Sequence, residues 1–139
     1  MRGRIIVWSP PQIEPKDYDG PHYWVVVSRD SIGLYAEGPK KRWPPLLVVP
    51  FNTYRGEEET PQGASDILIG DGTDFENPIE KGVRSLVRCG EIRPCHRRKI
   101  LPFDGLPVSV SLLEEIDERL VSELGLENYI DRLVEKNKR

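Results

Sequence analysis

The groups able to do chemistry are concentrated in one short stretch. Between Arg84 and Lys99 stand six cations (Arg84, Arg88, Arg93, Arg97, Arg98 and Lys99) and His96, against the single acid Glu91. Guanidinium groups donate parallel hydrogen bonds to phosphate oxygens, so a segment of this density reads as a phosphate grip. Just upstream, Gly56 to Glu80 carries eight carboxylates and no Lys or Arg. The plainer alternative is that both segments are solvated faces that screen each other. Cys89, Cys95 and His96 offer three ligands, one short of a closed zinc site and without a close Cys-x-x-Cys hook, so no metal is expected and Cys89 reads as a small buried strand residue. Of the three tryptophans, Trp8 and Trp24 fall in apolar runs and read as core. Trp43, beside Lys40-Lys41-Arg42, is the candidate for stacking on a nucleic-acid base.

Those groups need a scaffold, and the chain spells out a mostly β one. Short apolar runs at Arg4–Trp8, Tyr23–Ser28 and Leu46–Phe51 lie between the turn signals Pro10-Pro11, Asp19-Gly20-Pro21, Gly38-Pro39 and Pro44-Pro45. The second and third are almost continuously apolar and predict central strands. From Arg55 to Lys81 a Gly- and acid-rich stretch predicts a mobile excursion, broken only by a short strand at Asp66–Ile69. Strand character resumes at Ser85–Cys89 and Glu91–Cys95, and Lys99-Ile100-Leu101 would close the sheet. After Leu106 the period changes. Ser109 or Ser111 caps a helix with Leu112, Leu113, Ile116, Leu120 and Leu124 at three- and four-residue spacing, and Gly125 ends it. Tyr129, Ile130, Leu133 and Val134 mark a second short helix, giving a helical element over about residues 109–136. The expected architecture is a small, strongly curved sheet or barrel with a C-terminal helix, α+β in class.

Bulk composition sets the outer limits. A chain of 139 residues is the size of one domain, taken here as 1–139. The first apolar run, Ile5–Trp8, is too short for a signal peptide or a membrane span, which predicts a cytoplasmic protein with no membrane partner. Two cysteines are too few for a disulfide scaffold. The net charge of -3 argues against a nucleic-acid binder only as an average, and the segregation described above undoes that argument.

The order of these features resembles the MazF/PemK family of toxins from bacterial toxin–antitoxin systems. Arg2-Gly3-Arg4 leading into Ile5–Trp8 and a proline turn is similar to the family's opening strand. His22-Tyr23-Trp24-Val25-Val26-Val27-Ser28 is similar to its Arg-Pro segment and Val-Val-Ser strand. Val48-Val49-Pro50-Phe51-Asn52-Thr53 is similar to its Val-Pro-Ile-Thr-Ser strand. Ser85–Arg93 resembles Val-Val-Arg-Cys-Asp-Gln-Ile-Arg most closely, and Leu112–Leu126 its closing helix. The resemblance implies an SH3-like small β-barrel with a C-terminal helix, usually a homodimer. It also implies cleavage of single-stranded RNA without a metal ion or other cofactor, and restraint by an acidic antitoxin whose disordered tail folds across the basic groove.

In that chemistry the ribose 2′-OH attacks the adjacent phosphate, which needs a base, an acid and a cation for the charge building on phosphorus. The resemblance assigns the cation to Arg88. His22 stands at a family arginine and replaces a permanent cation by an imidazole able to take or give a proton, or it is a loop histidine with no chemistry. Asn52 stands at the family threonine, and Thr53 keeps the hydroxyl that follows, a catalytic-site group able to hold a phosphate oxygen. Asn52, Arg84, Arg93 and Trp43 would line the RNA path. Where some members carry an acid after Arg-Cys this chain has Gly90, and Glu91 would point to the opposite face unless a bulge re-aims it. The alternatives are a non-catalytic barrel acting as a binding module, a generic SH3-like adaptor that leaves the basic segment unexplained, and a gyrase poison. The last is disfavoured by an ending in Lys138-Arg139 where the family's poison has Trp-Gly-Ile.

Overall fold

Residues 1–12, 20–29, 45–103 and 105–138 are described by the computed structural model. The apolar runs become six antiparallel strands, β1 (Ile5–Trp8), β2 (His22–Val26), β3 (Leu46–Thr53), β4 (Asp66–Ile69), β5 (Ser85–Arg88) and β6 (Arg93–Cys95). They form one sheet in the order β1-β2-β3-β5-β4, with β6 also on β3. The expected mostly β, barrel-like α+β fold is what is found. β2 and β3 are interior strands, which explains their nearly continuous apolar character, because both of their faces are buried.

Two clusters divide those faces. Ile5, Val25, Val49, Phe51, Ile67, Ile69 and Val87 point to one side and meet the helix α1 (Val110–Glu123) through Leu112 and Ile116. Ile6, Trp8, Trp24, Val26, Leu46, Val48 and Cys95 point to the other. Trp8 and Trp24 are core residues as expected, and the Trp24 indole Nε1 donates to the Trp8 carbonyl at 3.1 Å.

Ser109 is the helix cap, its Oγ accepting from Leu112 N at 3.2 Å. At the other end Gly125, at φ +69°, closes α1: Gly125 N donates to Ser122 O and Leu126 N to Val121 O, the paired bonds of a Schellman turn. The second helix, α2 (Glu127–Asn137), buries none of its residues.

Two expectations are modified. Residues Arg97–Lys99 form a single 3-10 turn, and only an isolated bridge from Leu101 to Val7 continues the sheet there. The acid-rich stretch is fastened along much of its length: Thr60 Oγ1 accepts from Arg55 N, Thr73 Oγ1 donates to Gly70 O, and Asn77 Nδ2 donates to Val83 O at 2.8 Å. Arg119 Nη1 also reaches Ala64 O at 2.8 Å, and Ser65 bonds to Glu123, tying the loop before β4 to α1.

Candidate functional site

β3 is flanked on one edge by β2 and on the other by β5 and then β6. Phe51 lies opposite Val87 and Val48 opposite Arg93, so the two β3 residues between them, Val49 and Pro50, are matched by five on the neighbouring edge, Arg88 to Ile92. The surplus loops out after Arg88, where Glu91 N donates to Arg88 O at 3.1 Å. This bulged turn ends the β5 ladder and leaves Arg88 as the last residue of its strand.

Alternation then sorts the candidates by face. Asn52 opposes Leu86, and Asp66 opposes Arg88, so Asn52, Arg88 and Asp66 share one side of the sheet, the side turned away from α1. Arg84 lies on the same side of its chain as Leu86, and its guanidinium sits 5.2 Å from the centre of the Tyr54 ring. Arg93 opposes Val48 on that side as well. His22 shares its side of β2 with Trp24, whose register partner is Pro50, so it too belongs to this face. Thr53 does not: it opposes Ser85 on the side of Phe51 and Val87. Trp43 lies outside the described residues.

Arg88 is the centre of the cluster. Its Nη1 donates to Asp66 Oδ2 at 2.8 Å and to Pro61 O at 3.3 Å. Its Nε donates at 2.7 Å to the Asn52 side-chain oxygen, in the amide orientation that also lets Asn52 Nδ2 donate to Phe51 O at 3.2 Å. Three of the guanidinium's five N–H groups are thereby used, and Nη2 bonds to none of the described residues. A planar fork held at one edge, with its other donors unpaired among the described residues, suits an anion.

Asp66 is buried and Arg88 half-buried, with side-chain exposures of 7% and 17%. Asp66 Oδ2 also accepts from Gly63 N at 2.7 Å. Sequence reasoning missed this carboxylate as part of the site, counting it in the acidic stretch. The available signal was an acid heading a four-residue apolar strand, a position that must face another strand. Cys89 follows Arg88 in the α1-side core, and burial pushes its thiol up to about 12, with the nearby Asp66 carboxylate adding to the shift. Cys95 lies in the opposite core and is pushed to about 12 by burial alone.

A curved antiparallel sheet closed by a C-terminal helix, with an anchored arginine on its other face, is the class of protein these features define. No family model matches the sequence, and no curated protein does. Among solved structures, an endoribonuclease in complex with its cognate antitoxin from mycobacterial species is similar at 16% identity. The match covers 91% of this chain and 95% of that chain with a TM-score of 0.57. At that identity the likeness is one of fold. Among the described residues no helix is long and apolar enough to cross a membrane.

Proposed function

We propose that this protein is a MazF/PemK-like toxin, a single-domain endoribonuclease that cuts single-stranded RNA in the cytoplasm and is restrained by a cognate antitoxin, working as a homodimer. The observation that carries the reading is the Arg88 guanidinium, fixed by Asn52, Pro61 and Asp66 with Nη2 bonded to none of the described residues, on the face that also holds His22, Arg84 and Arg93. The fold shared with an endoribonuclease solved with its antitoxin supports it.

In this reading the 2′-OH of one ribose attacks the neighbouring phosphorus as the P–O5′ bond breaks, leaving a 2′,3′-cyclic phosphate and a free 5′-OH. Arg88 holds a non-bridging oxygen and stabilises the extra charge of the five-coordinate phosphorus, an interaction stronger in the transition state than in the ground state. His22 takes the 2′ proton or returns one to the leaving oxygen. Asn52 orients Arg88, and Arg84 and Arg93 follow the RNA backbone. Thr53, whose neighbours in register face the α1 side, has no part in this arrangement. That position favours one second reading, a barrel that binds nucleic acid without cutting it.

The test is incubation of purified, antitoxin-free protein with mixed-sequence RNA in EDTA, beside Arg88→Lys and His22→Ala. Cuts bearing cyclic phosphate ends that are lost in Arg88→Lys are expected. Retention of RNA without cutting by folded wild-type protein would establish the binding module instead.

A further inference from the structure

We propose that Asp66 is the positioning residue for Arg88, setting the guanidinium plane so that Nη2 meets a phosphoryl oxygen while reducing the site's ground-state attraction for the RNA backbone. The inference rests on the ribonuclease reading above and assigns a role to a carboxylate that the reading does not require.

The pairing is built into the sheet. Asp66 and Arg88 are direct register partners across β4 and β5, and a one-residue slip of β4 would turn Asp66 to the other face and part it from Arg88. The carboxylate is the more buried of the two, so its removal from water is offset only by the bonds it makes, and Oδ2 makes two, to Arg88 Nη1 at 2.8 Å and Gly63 N at 2.7 Å. Through Gly63 the same oxygen fixes the Pro61–Gly63 turn, whose Pro61 carbonyl is the second acceptor of Nη1. Asp66 therefore orients Arg88 directly and through the loop.

Neutral acceptors alone could hold the fork. Asn52 and Pro61 already do so at Nε and Nη1, and a carboxylate in the same ring has a cost they lack: it cancels the arginine's charge where a phosphate would arrive. A pair of near-zero net charge attracts a resting phosphodiester weakly. Fixed donors still act on the additional charge of the transition state, because their contribution depends on placement. Asp66 in this arrangement trades RNA affinity for turnover.

That trade separates positioning from mere folding. The experiment compares wild type, Asp66→Asn and Asp66→Glu for kcat and KM on a cleavable oligoribonucleotide. It also measures binding of the same oligonucleotide with 2′-deoxy sugars, over a range of salt, with the folded fraction read by circular dichroism. Asp66→Asn keeps an acceptor and removes the charge. It is expected to lower kcat about 10- to 100-fold per folded molecule, to leave KM and the affinity for uncleavable RNA unchanged or tighter, and to steepen the salt dependence of binding by up to about 0.7 in log–log slope. Asp66→Glu is expected to recover part of the lost kcat. The proposal is overturned if Asp66→Asn turns over within about twofold of wild type, or if kcat and RNA binding fall together in step with the folded fraction. Failure of the ribonuclease reading looks different: the folded wild type itself does not cut, whether or not it binds RNA, and the proposed role of Asp66 then falls with it.

Discussion

The carbonyl oxygen of Val83 occupies the space beside Gly70 so closely that a β-carbon on Gly70 would lie 2.2 Å from it. Gly70 follows β4 directly, at φ +107°, and Val83 leads into β5, so this contact sets how the two strands that carry Asp66 and Arg88 come together. Gly70→Ala is expected to destabilise by about 3 kcal/mol or more, through both strain and overlap with backbone that cannot yield. Gly72, at φ +75° with nothing within 4 Å of its would-be β-carbon, provides the control. Gly72→Ala meets strain alone and is expected to cost about 1–2 kcal/mol. Urea unfolding of the two variants reads the difference, and equal costs would mean that the Val83 contact does not matter.

The Asp66–Arg88 pair predicts non-additive stability. Arg88→Ala leaves a buried carboxylate with only the Gly63 amide and is expected to cost on the order of 3 kcal/mol. Adding Asp66→Ala removes the stranded charge, so the double variant is expected to be more stable than the sum of the single losses by at least about 1 kcal/mol. Denaturant titrations of the four proteins close the cycle, and additive losses would show that the pair is not coupled.

The two buried thiols predict a loss of stability on the alkaline side only. Burial raises both Cys89 and Cys95 from the ordinary value of 9.0 to about 12 in the folded protein. Folding thus favours the protonated form. The contribution is fully present below pH 9 and is lost as pH rises from about 9 towards 12, where the unfolded chain sheds these protons and the folded chain holds them. Melting temperatures followed from pH 7 to 11 are expected to fall more gently in a Cys89→Ala/Cys95→Ala variant than in wild type. Identical slopes would remove the thiols from the alkaline transition. Neither thiol should react with a maleimide at pH 7 without unfolding, because the thiolate is the nucleophile.

Much of the scaffold was legible in local patterns. The short apolar run Asp66–Ile69 predicts a strand and is β4; Ile5–Trp8 and Leu46–Phe51 lie in β1 and β3; Ser109 caps α1 and Gly125 ends it. Apolar periodicity and capping chemistry act over a few residues, so a single chain displays them. Lys99–Leu101 joins the sheet only through the Leu101–Val7 bridge, because Arg97–Lys99 is a 3-10 turn and Ile100, just after it, packs against the cluster that holds Trp8 and Trp24.

The site was legible in its cation and not in its surroundings. The segregated charge runs mark only the Arg84–Lys99 segment; within it Arg88 is singled out by the resemblance, which assigns it the phosphate-holding cation. Asp66, twenty-two residues earlier, looked like one more member of an acidic run until the β4–β5 register placed it opposite Arg88. Asn52 reads in the sequence as a substitution at a threonine position; in the structure its amide lies 2.7 Å from Arg88 Nε, where the hydrogen-bonding orientation puts its oxygen. The sequence by itself determined most of the strand segments, where the first helix stops, and where positive charge is stored. Only the tertiary structure decided which acid pairs with which arginine and that Thr53 turns away from both, because a pleated strand changes face at every residue and its register is set by partners far along the chain.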